Sequence, residues 1–314
     1  MKYRLRQLGL LFALFFLFTG CAPTPASREI IQDRDFHGGI RVQGHSSSLP
    51  TPIDTLYPFH YSTDTAYWLL PQWGSKSVMQ NIQPIITNDS IIYQHKAKKV
   101  SFFKNKNQTV EIRLDVIASK EYDHPREMDE DWPHLLLEQY FNNPPKLIEA
   151  DRLIYKTKCK LLYADNKMGD QFNPDVHTTQ ITQYFTIQDN NKSSESYGDF
   201  FWFGIPFYDY RYEYTELYAA RDIGKEDASR KFIYSVASPD IFNGTMHAKE
   251  WVTIDKDILP FIKEAFETAR QRGYLAGSGF EDMVVTTMNV GWEVPGTFDC
   301  GIVFETPSLK IVYR

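Results

Sequence analysis

Val110-Glu111-Ile112-Arg113-Leu114-Asp115-Val116 alternates apolar and charged side chains at every step. Successive side chains of a strand leave on opposite faces. Val110, Ile112, Leu114 and Val116 therefore form a dry face, and Glu111, Arg113 and Asp115 a wet one. The period recurs along the chain. Tyr155, Thr157, Cys159, Leu161 and Tyr163 alternate with Lys156, Lys158 and Lys160, and Ile181, Phe185 and Ile187 oppose Gln180, Thr182, Tyr184 and Thr186. Near the end Phe298, Cys300, Ile302 and Phe304 oppose Asp299, Val303 and Glu305, and Leu309 to Tyr313 closes the chain. Half-buried strands with one wet face belong to antiparallel sheets. Joined by turns rich in Asn, Asp, Gly and Pro, they predict an all-β chain, an antiparallel β-sandwich of the jelly-roll kind.

One helix interrupts this pattern, over 258–272. Ile258, Ile262, Ala265, Phe266 and Ala269 form its apolar stripe, with Asp257 as cap and Pro260 in the first turn. Arg270 and Arg272 suit the negative end of the helix dipole, and Gly273 is a natural stop. The stretch 131–141 opens like a helix, with an acidic residue and then Pro133, but its run Leu135-Leu136-Leu137 reads as a buried strand.

Length and composition bound the function. A chain of 314 residues suits one large domain, and 42% hydrophobic with 24% charged residues is an ordinary packed globule. The net charge of −6 excludes the basic footprint that nucleic acid requires. There is no Gly-rich phosphate loop, paired-Cys motif, His-Glu-x-x-His or Gly-x-Ser-x-Gly, so no cofactor and no metal centre is expected. The unusual figure is the aromatic content, 15% of the chain.

The N-terminus gives an address. Lys2, Arg4 and Arg6 precede the apolar run Leu8 to Phe18, too short to span a bilayer, which needs about 20 residues. The following Leu17-Phe18-Thr19-Gly20-Cys21 resembles the lipobox of bacterial lipoproteins, with Phe18 standing where Leu is usual. That resemblance implies that residues 1–20 are a signal peptide and that Cys21 carries lipid, palmitate included. The chain would then be anchored to a membrane of the bacterial envelope, facing the periplasm or the cell surface. Removing residues 1–20 takes away three basic and no acidic side chains, so the mature charge of −9 adds no attraction to anionic lipid. Residues 21–52, rich in Ser, Pro and Gly, read as a flexible tether with at most a short strand, leaving 53–314 as a single sandwich domain. In such a compartment the sequons at Asn88, Asn107, Asn191 and Asn243 are incidental. Cys159 and Cys300 are either bridged or two buried thiols.

The segment Tyr197 to Tyr218, YGDFFWFGIPFYDYRYEYTELY, is half aromatic. As a strand it carries rings on both faces, so one set fills the core. The other set is left beside Asp209, Arg211 and Glu213 to meet a ligand. Sugars offer C–H patches that stack on rings and hydroxyls that take Asp or Arg. The candidate ligand-binding residues are therefore Trp202, Tyr208, Asp209, Tyr210, Arg211 and Tyr212, with at least one of the three tyrosines facing the ligand. A second aromatic group, Tyr67-Trp68 and Trp73, reads as core packing of an early strand.

Three further stretches bear on sugars. Glu127, Asp129 and Asp131 lie at alternate positions between two prolines, and the pattern is similar to the Glu-x-Asp-x-Glu catalytic strand of laminarinase-type glycoside hydrolases. The match covers five residues and departs at the last, where Asp131 replaces the acid/base Glu. Glycosidic hydrolysis needs two carboxyls, and positions i and i+2 of a strand stand roughly 6.6 Å apart. His177 and Gln180 are similar, in composition only, to the His and Gln of jelly-roll polysaccharide lyases. Asn289-Val290-Gly291-Trp292-Glu293-Val294-Pro295-Gly296 and the strands after it resemble the closing hairpin of carbohydrate-recognition sandwiches. The leading reading is a lipid-anchored protein that binds glycan or another polar ligand. The alternative is a glycan-cleaving enzyme using Glu127, Asp129 and Asp131 or His177. The third is a structural envelope protein that meets only other proteins.

Overall fold

The structure is a computed structural model and describes residues 26–45, 51–59, 62–105, 109–223 and 228–314. Cys21 and the signal segment lie outside the described residues. Among those described, no helix is long and apolar enough to cross a membrane.

Strands dominate. The first eight are β1 (Ser27–Glu29), β2 (Ile40–Gln43), β3 (Pro52–Leu56), β4 (Trp68–Leu70), β5 (Ile85–Ile86), β6 (Ser90–Gln94), β7 (Lys98–Lys104) and β8 (Val110–Ile117). Then come β9 (His134–Tyr140), β10 (Ala150–Asn166), β11 (Gln180–Asp189), β12 (Phe200–Asp209), β13 (Tyr218–Arg221), β14 (Phe232–Ser235), β15 (Val252–Asp257), β16 (Met283–Glu293) and β17 (Phe298–Tyr313). The helices are α1 (Ser238–Ile241) and α2 (Leu259–Gln271). The eight-stranded sheet runs β15-β10-β17-β8-β7-β6-β5, with β1 added on β17, and the nine-stranded sheet runs β13-β14-β12-β11-β16-β9-β4-β2-β3. Nearly every pairing is antiparallel. The exceptions are β12 with β14 and β2 with β4.

The alternation read from the sequence sorts residues between the two faces of each sheet. Ile112, Leu114, Tyr155 and Ile302 of one sheet meet Leu135, Leu137, Phe185, Phe203 and Trp292 of the other in one continuous core. Two polar tips cross between the layers. Trp292 Nε1 donates to the Leu114 carbonyl at 3.0 Å, and the Tyr155 hydroxyl donates to Gln183 Oε1 at 2.8 Å. Each buries a large ring without orphaning its hydrogen-bonding group. Helix α2 presents Ile262, Ala265, Phe266 and Ala269 to β10, β12 and β14, so it closes one side of the sandwich between the sheets. The Asp257 carboxylate accepts the Leu259 amide at 3.1 Å, and Gly273 ends the helix with a φ of +85°, which costs a residue with a side chain more than it costs glycine. The 134–140 stretch is a strand, as its leucine run implies.

One expectation changes, and one alternative left open is decided. The tether expected over 21–52 is not a tether across its described part. Ser27–Glu29 pairs with β17, and β2 lies inside the nine-stranded sheet between β4 and β3. Phe36, Ile40 and Val42 are fully buried, and the Asp33 carboxylate holds the turn by accepting the His37 and Gly38 amides. A strand this short, flanked by glycines and serines, has too few alternations to show as a period. Cys159 and Cys300 are free thiols, each fully buried, and burial pushes both pKa values up. Cys159 lies against the Met246 sulfur, whereas Cys300 receives the Thr179 hydroxyl.

Candidate functional site

The outer face of the nine-stranded sheet carries a feature that gathers rings and polar groups. Because Leu135 and Leu137 enter the core, His134, Leu136 and Glu138 point outward from β9. The same parity sends Tyr184 outward from β11, Trp202 from β12, and Asn289 and Glu293 from β16. Together with Trp73 and Trp132 from the loops before β9, and Asp222, Ser229 and Ile233 at the other wall, all of these residues except Glu138 enclose a groove of about 290 Å³.

One wall is a stack built on His134. Its ring lies nearly parallel to Trp132, centroids 5.8 Å apart, and 5.7 Å from Trp73. His134 Nδ1 donates toward the carbonyls of Trp132 (3.0 Å) and Trp73 (3.1 Å), which leaves Nε2 facing Glu293 Oε2 at 3.7 Å. Gln180 Nε2 donates to the same Glu293 oxygen at 3.4 Å. Gly74, at φ +62°, lets the Trp73 loop run against the Trp132 backbone, where any Cβ would collide with the Trp132 carbonyl.

The opposite wall is centred on Trp202. Its Nε1 donates to Ser229 Oγ at 3.0 Å, and Ser229 donates in turn to Asp222 Oδ2 at 2.6 Å. The indole meets the rings of Tyr184 and Phe200 edge-on, at 6.2 and 5.2 Å. A chain of hydrogen bonds thus fixes the orientation of Trp202 while part of its ring stays exposed to the groove. On the floor, burial above all, then the nearby Glu293 charge, pushes the Tyr184 pKa up, so its hydroxyl keeps its proton.

Glu138 follows Leu136 in the outward row on β9, with the exposed Tyr140 beyond it. Glu138 is 5% exposed, its Oε2 has no hydrogen-bond partner among the described residues, and burial pushes its carboxyl up to about 7.

The residues singled out from sequence fall in several places. Trp202 is in the groove. Tyr208 is 4% exposed and packs edge-on against Trp292 and beside His247, so it belongs to the core. Tyr210 is wedged between Phe172 and Phe298. Arg211 grips both oxygens of the buried Asp209, at 3.0 and 2.8 Å, and Thr178 donates to the same carboxylate at 2.8 Å, which closes that pair on itself. Tyr212 is 53% exposed and lies under the Arg211 guanidinium, away from the groove. A bulge explains the departure. Ile181 pairs with Tyr208 but Thr182 with Pro206, so one extra residue enters β12 and turns Tyr208 inward.

Glu127, Asp129 and Asp131 are exposed on a turn, with the Glu130 amide donating to the Glu127 carbonyl at 3.2 Å, and not on the extended strand expected of them. That loop has a different use. Arg126 donates to the Glu130 and Met128 carbonyls and lays its guanidinium 4.7 Å over Trp132, holding that ring at the groove. His177 is buried with both nitrogens engaged: Nδ1 accepts the Asn173 amide at 2.9 Å and Nε2 donates to the Arg126 carbonyl at 2.8 Å. Held this way, the ring has no free nitrogen to offer a ligand. Among the described residues no group of His, Cys, Asp and Glu has the arrangement of a metal centre.

Trp132, His134, Asn289 and Glu293 line the groove and were not singled out from sequence. Trp73 was read as core. The outward parity of His134, Asn289 and Glu293 was legible, but the convergence of all five depends on pairings between segments more than a hundred residues apart.

No protein-family model matches the chain, and no curated protein matches it. Among solved structures the chain is similar to endoglucanase Cel12A from Rhodothermus marinus, at 11% identity and a TM-score of 0.39, over 76% of this chain and 99% of that one. It is similar also to a family 12 xyloglucanase from Bacillus licheniformis, at 11% identity and a TM-score of 0.39, over 76% of this chain and all of that one. Likeness at this level carries no weight for function, which rests on the groove.

Proposed function

We propose that this chain is a glycan-binding protein and that the outer-face groove is its site. The observation that carries the reading is the pairing of Trp202 on one wall with the Trp73–His134–Trp132 stack on the other, with Asn289 and Glu293 between them and Asp222 on the Trp202 wall. Rings supply flat surface for the C–H faces of a sugar, and the amide and carboxylates take its hydroxyls. Trp202→Ala is expected to weaken retention on the cognate polysaccharide by roughly tenfold or more, about 1.4 kcal/mol. Its Tm should stay within a few degrees of the parent, because the ring is only part-buried and outside the core. Affinity electrophoresis against neutral and uronic-acid polysaccharides measures the first, and calorimetry the second. If no polysaccharide retards the parent protein, the reading fails.

Cleavage of the bound glycan is the second reading, favoured by one observation. Glu138 is a buried carboxyl held near 7, as a general acid would be. Hydrolysis needs a second carboxyl about 5–9.5 Å away. Glu293 is the nearest candidate on the adjoining strand. Glu138 pairs with Asn289 and His134 with Glu293, an offset of four residues or roughly 13 Å at 3.3 Å per residue. That spacing favours binding over hydrolysis. Release of reducing ends by the parent, lost in Glu138→Gln, would reverse the preference.

The lipobox-like end of the signal segment supports anchoring through Cys21 in a bacterial envelope. On detergent phase separation the parent should enter the detergent phase and Cys21→Ala the aqueous phase. A parent protein that is already aqueous would remove lipid from the account.

A further inference from the structure

We infer that the groove selects its glycan by charge, taking units with a free amino group ahead of neutral sugars and excluding uronates. This rests on the glycan-binding reading and adds the chemical class of the ligand. The lining carries it. Glu293 and Asp222 bring carboxylates to the groove, and among its described lining residues there is no Lys or Arg. His134 is the one base among them. Its Nδ1 is held by two carbonyls and its Nε2 faces Glu293 Oε2 at 3.7 Å, so the ring answers a carboxylate of the groove and not one of a ligand. Both acidic groups reach the floor. Burial above all raises the Tyr184 pKa, and the Glu293 and Asp222 charges push it the same way. In the sequence between Ile223 and Ala228, Lys225 is outnumbered by Glu226 and Asp227.

Nearby cations serve other partners. Arg126, stacked on Trp132, donates to the carbonyls of Glu130, Met128 and Val176. Lys231 lies over the Phe200 ring that flanks Trp202 and is paired with Asp199 at 2.6 Å. Arg211, the side chain expected to hold a uronate, grips Asp209 outside the groove. A uronate entering between the walls therefore sets its charge beside two carboxylates, with no Lys or Arg of the described lining to offset them. An ammonium in the same place is attracted by both. At roughly 6 Å and partial exposure, one such charge pair changes affinity about tenfold.

The test is isothermal titration with three oligosaccharide series on one backbone, so that charge is the variable: cello-oligosaccharides, their glucosamine counterparts and their glucuronic acid counterparts. In mildly acid buffer the amines are protonated and the uronates ionised. The glucosamine series should bind about tenfold tighter than the glucose series, and the glucuronate series about tenfold weaker or not at all. Glu293→Gln and Asp222→Asn, which keep shape and lose charge, should each narrow the spread between glucosamine and glucuronate several-fold. Indole fluorescence gives a reading that needs no glycan. Trp68 and Trp292 are fully buried, so once Trp251→Phe removes the exposed indole outside the groove, quenchers report on Trp73, Trp132 and Trp202. Caesium should quench this emission more than iodide does, each measured against a free tryptophan amide, and Glu293→Gln should bring the two together. Equal binding of the three series, tighter binding of the glucuronates, or iodide quenching that matches caesium overturns charge selection and leaves glycan binding intact. Absence of binding in all three series overturns this inference; absence of retention on every polysaccharide as well overturns glycan binding itself.

Discussion

Glu121→Ala is expected to destabilise the fold by about 3–5 kcal/mol, the usual consequence of removing one partner from a buried ion pair. For a body of this size that is a fall in Tm of roughly 6–20 °C. Lys98 and Glu121 meet at 2.9 Å with both side chains fully shielded from solvent. The remaining bonds are short as well. Lys98 Nζ donates to the Ser77 carbonyl at 2.6 Å, and Glu121 Oε1 accepts the Ser77 amide at 2.8 Å. The pair thus ties the start of β7 to the segment after β8 and clamps the Ser77 loop between them. Burial lowers the Lys98 pKa, and the Glu121 charge opposes that shift. Without Glu121 the ammonium either deprotonates or stays charged in a dry site, and both are unfavourable. Lys98→Met combined with Glu121→Leu should recover the greater part of the loss, since no uncompensated charge remains. Differential scanning calorimetry of the three proteins decides the matter: a Glu121→Ala protein melting within about 2 °C of the parent would show that the pair contributes nothing.

Glu138 should make stability depend on pH in a direction opposite to an ordinary surface carboxylate. Burial holds its carboxyl at about 7, above the 4.5 of the unfolded chain. Between those values the folded protein keeps a proton that the unfolded chain has released, so stability falls as pH rises through the window. The penalty is absent below about 4.5 and complete above about 7. At about 1.4 kcal/mol per unit it amounts to roughly 3 kcal/mol. Glutamine at this position is neutral throughout and carries no such penalty. Relative to the parent, Glu138→Gln should therefore gain roughly 6–12 °C in Tm between pH 5 and pH 8. Taking the difference between the two proteins cancels the titration of every other group. A difference that does not change with pH would mean that Glu138 ionises freely in the fold.

Much of the fold was legible locally. Side chains in a strand alternate whatever the strand pairs with, so Val110 to Val116 and Tyr155 to Tyr163 declared themselves as half-buried strands. The apolar stripe of α2 declared its inner face for the same reason, its period being a property of the backbone. Trp202 was legible as a candidate because a segment with rings on both faces must leave one set outside the core. Local period fails where the backbone departs from it. The bulge opposite Ile181 and Thr182 adds one residue to β12, and Tyr208, outward by parity with Trp202, becomes a core ring. The strand Ile40–Gln43 was hidden by its brevity, and its burial comes from partners on either side.

The groove was not legible, for a reason of distance along the chain. Trp73, Trp132, His134, Tyr184, Trp202 and Glu293 are spread over more than two hundred residues, and each alone is an outward side chain on a polar face. Backbone hydrogen bonds between β9, β16, β11 and β12 bring them within one groove, and those registers are set by how the inner faces fit the opposite sheet. Core packing on one side of the sheet therefore chooses which residues stand together on the other, because a slip of one residue would turn every core side chain toward water.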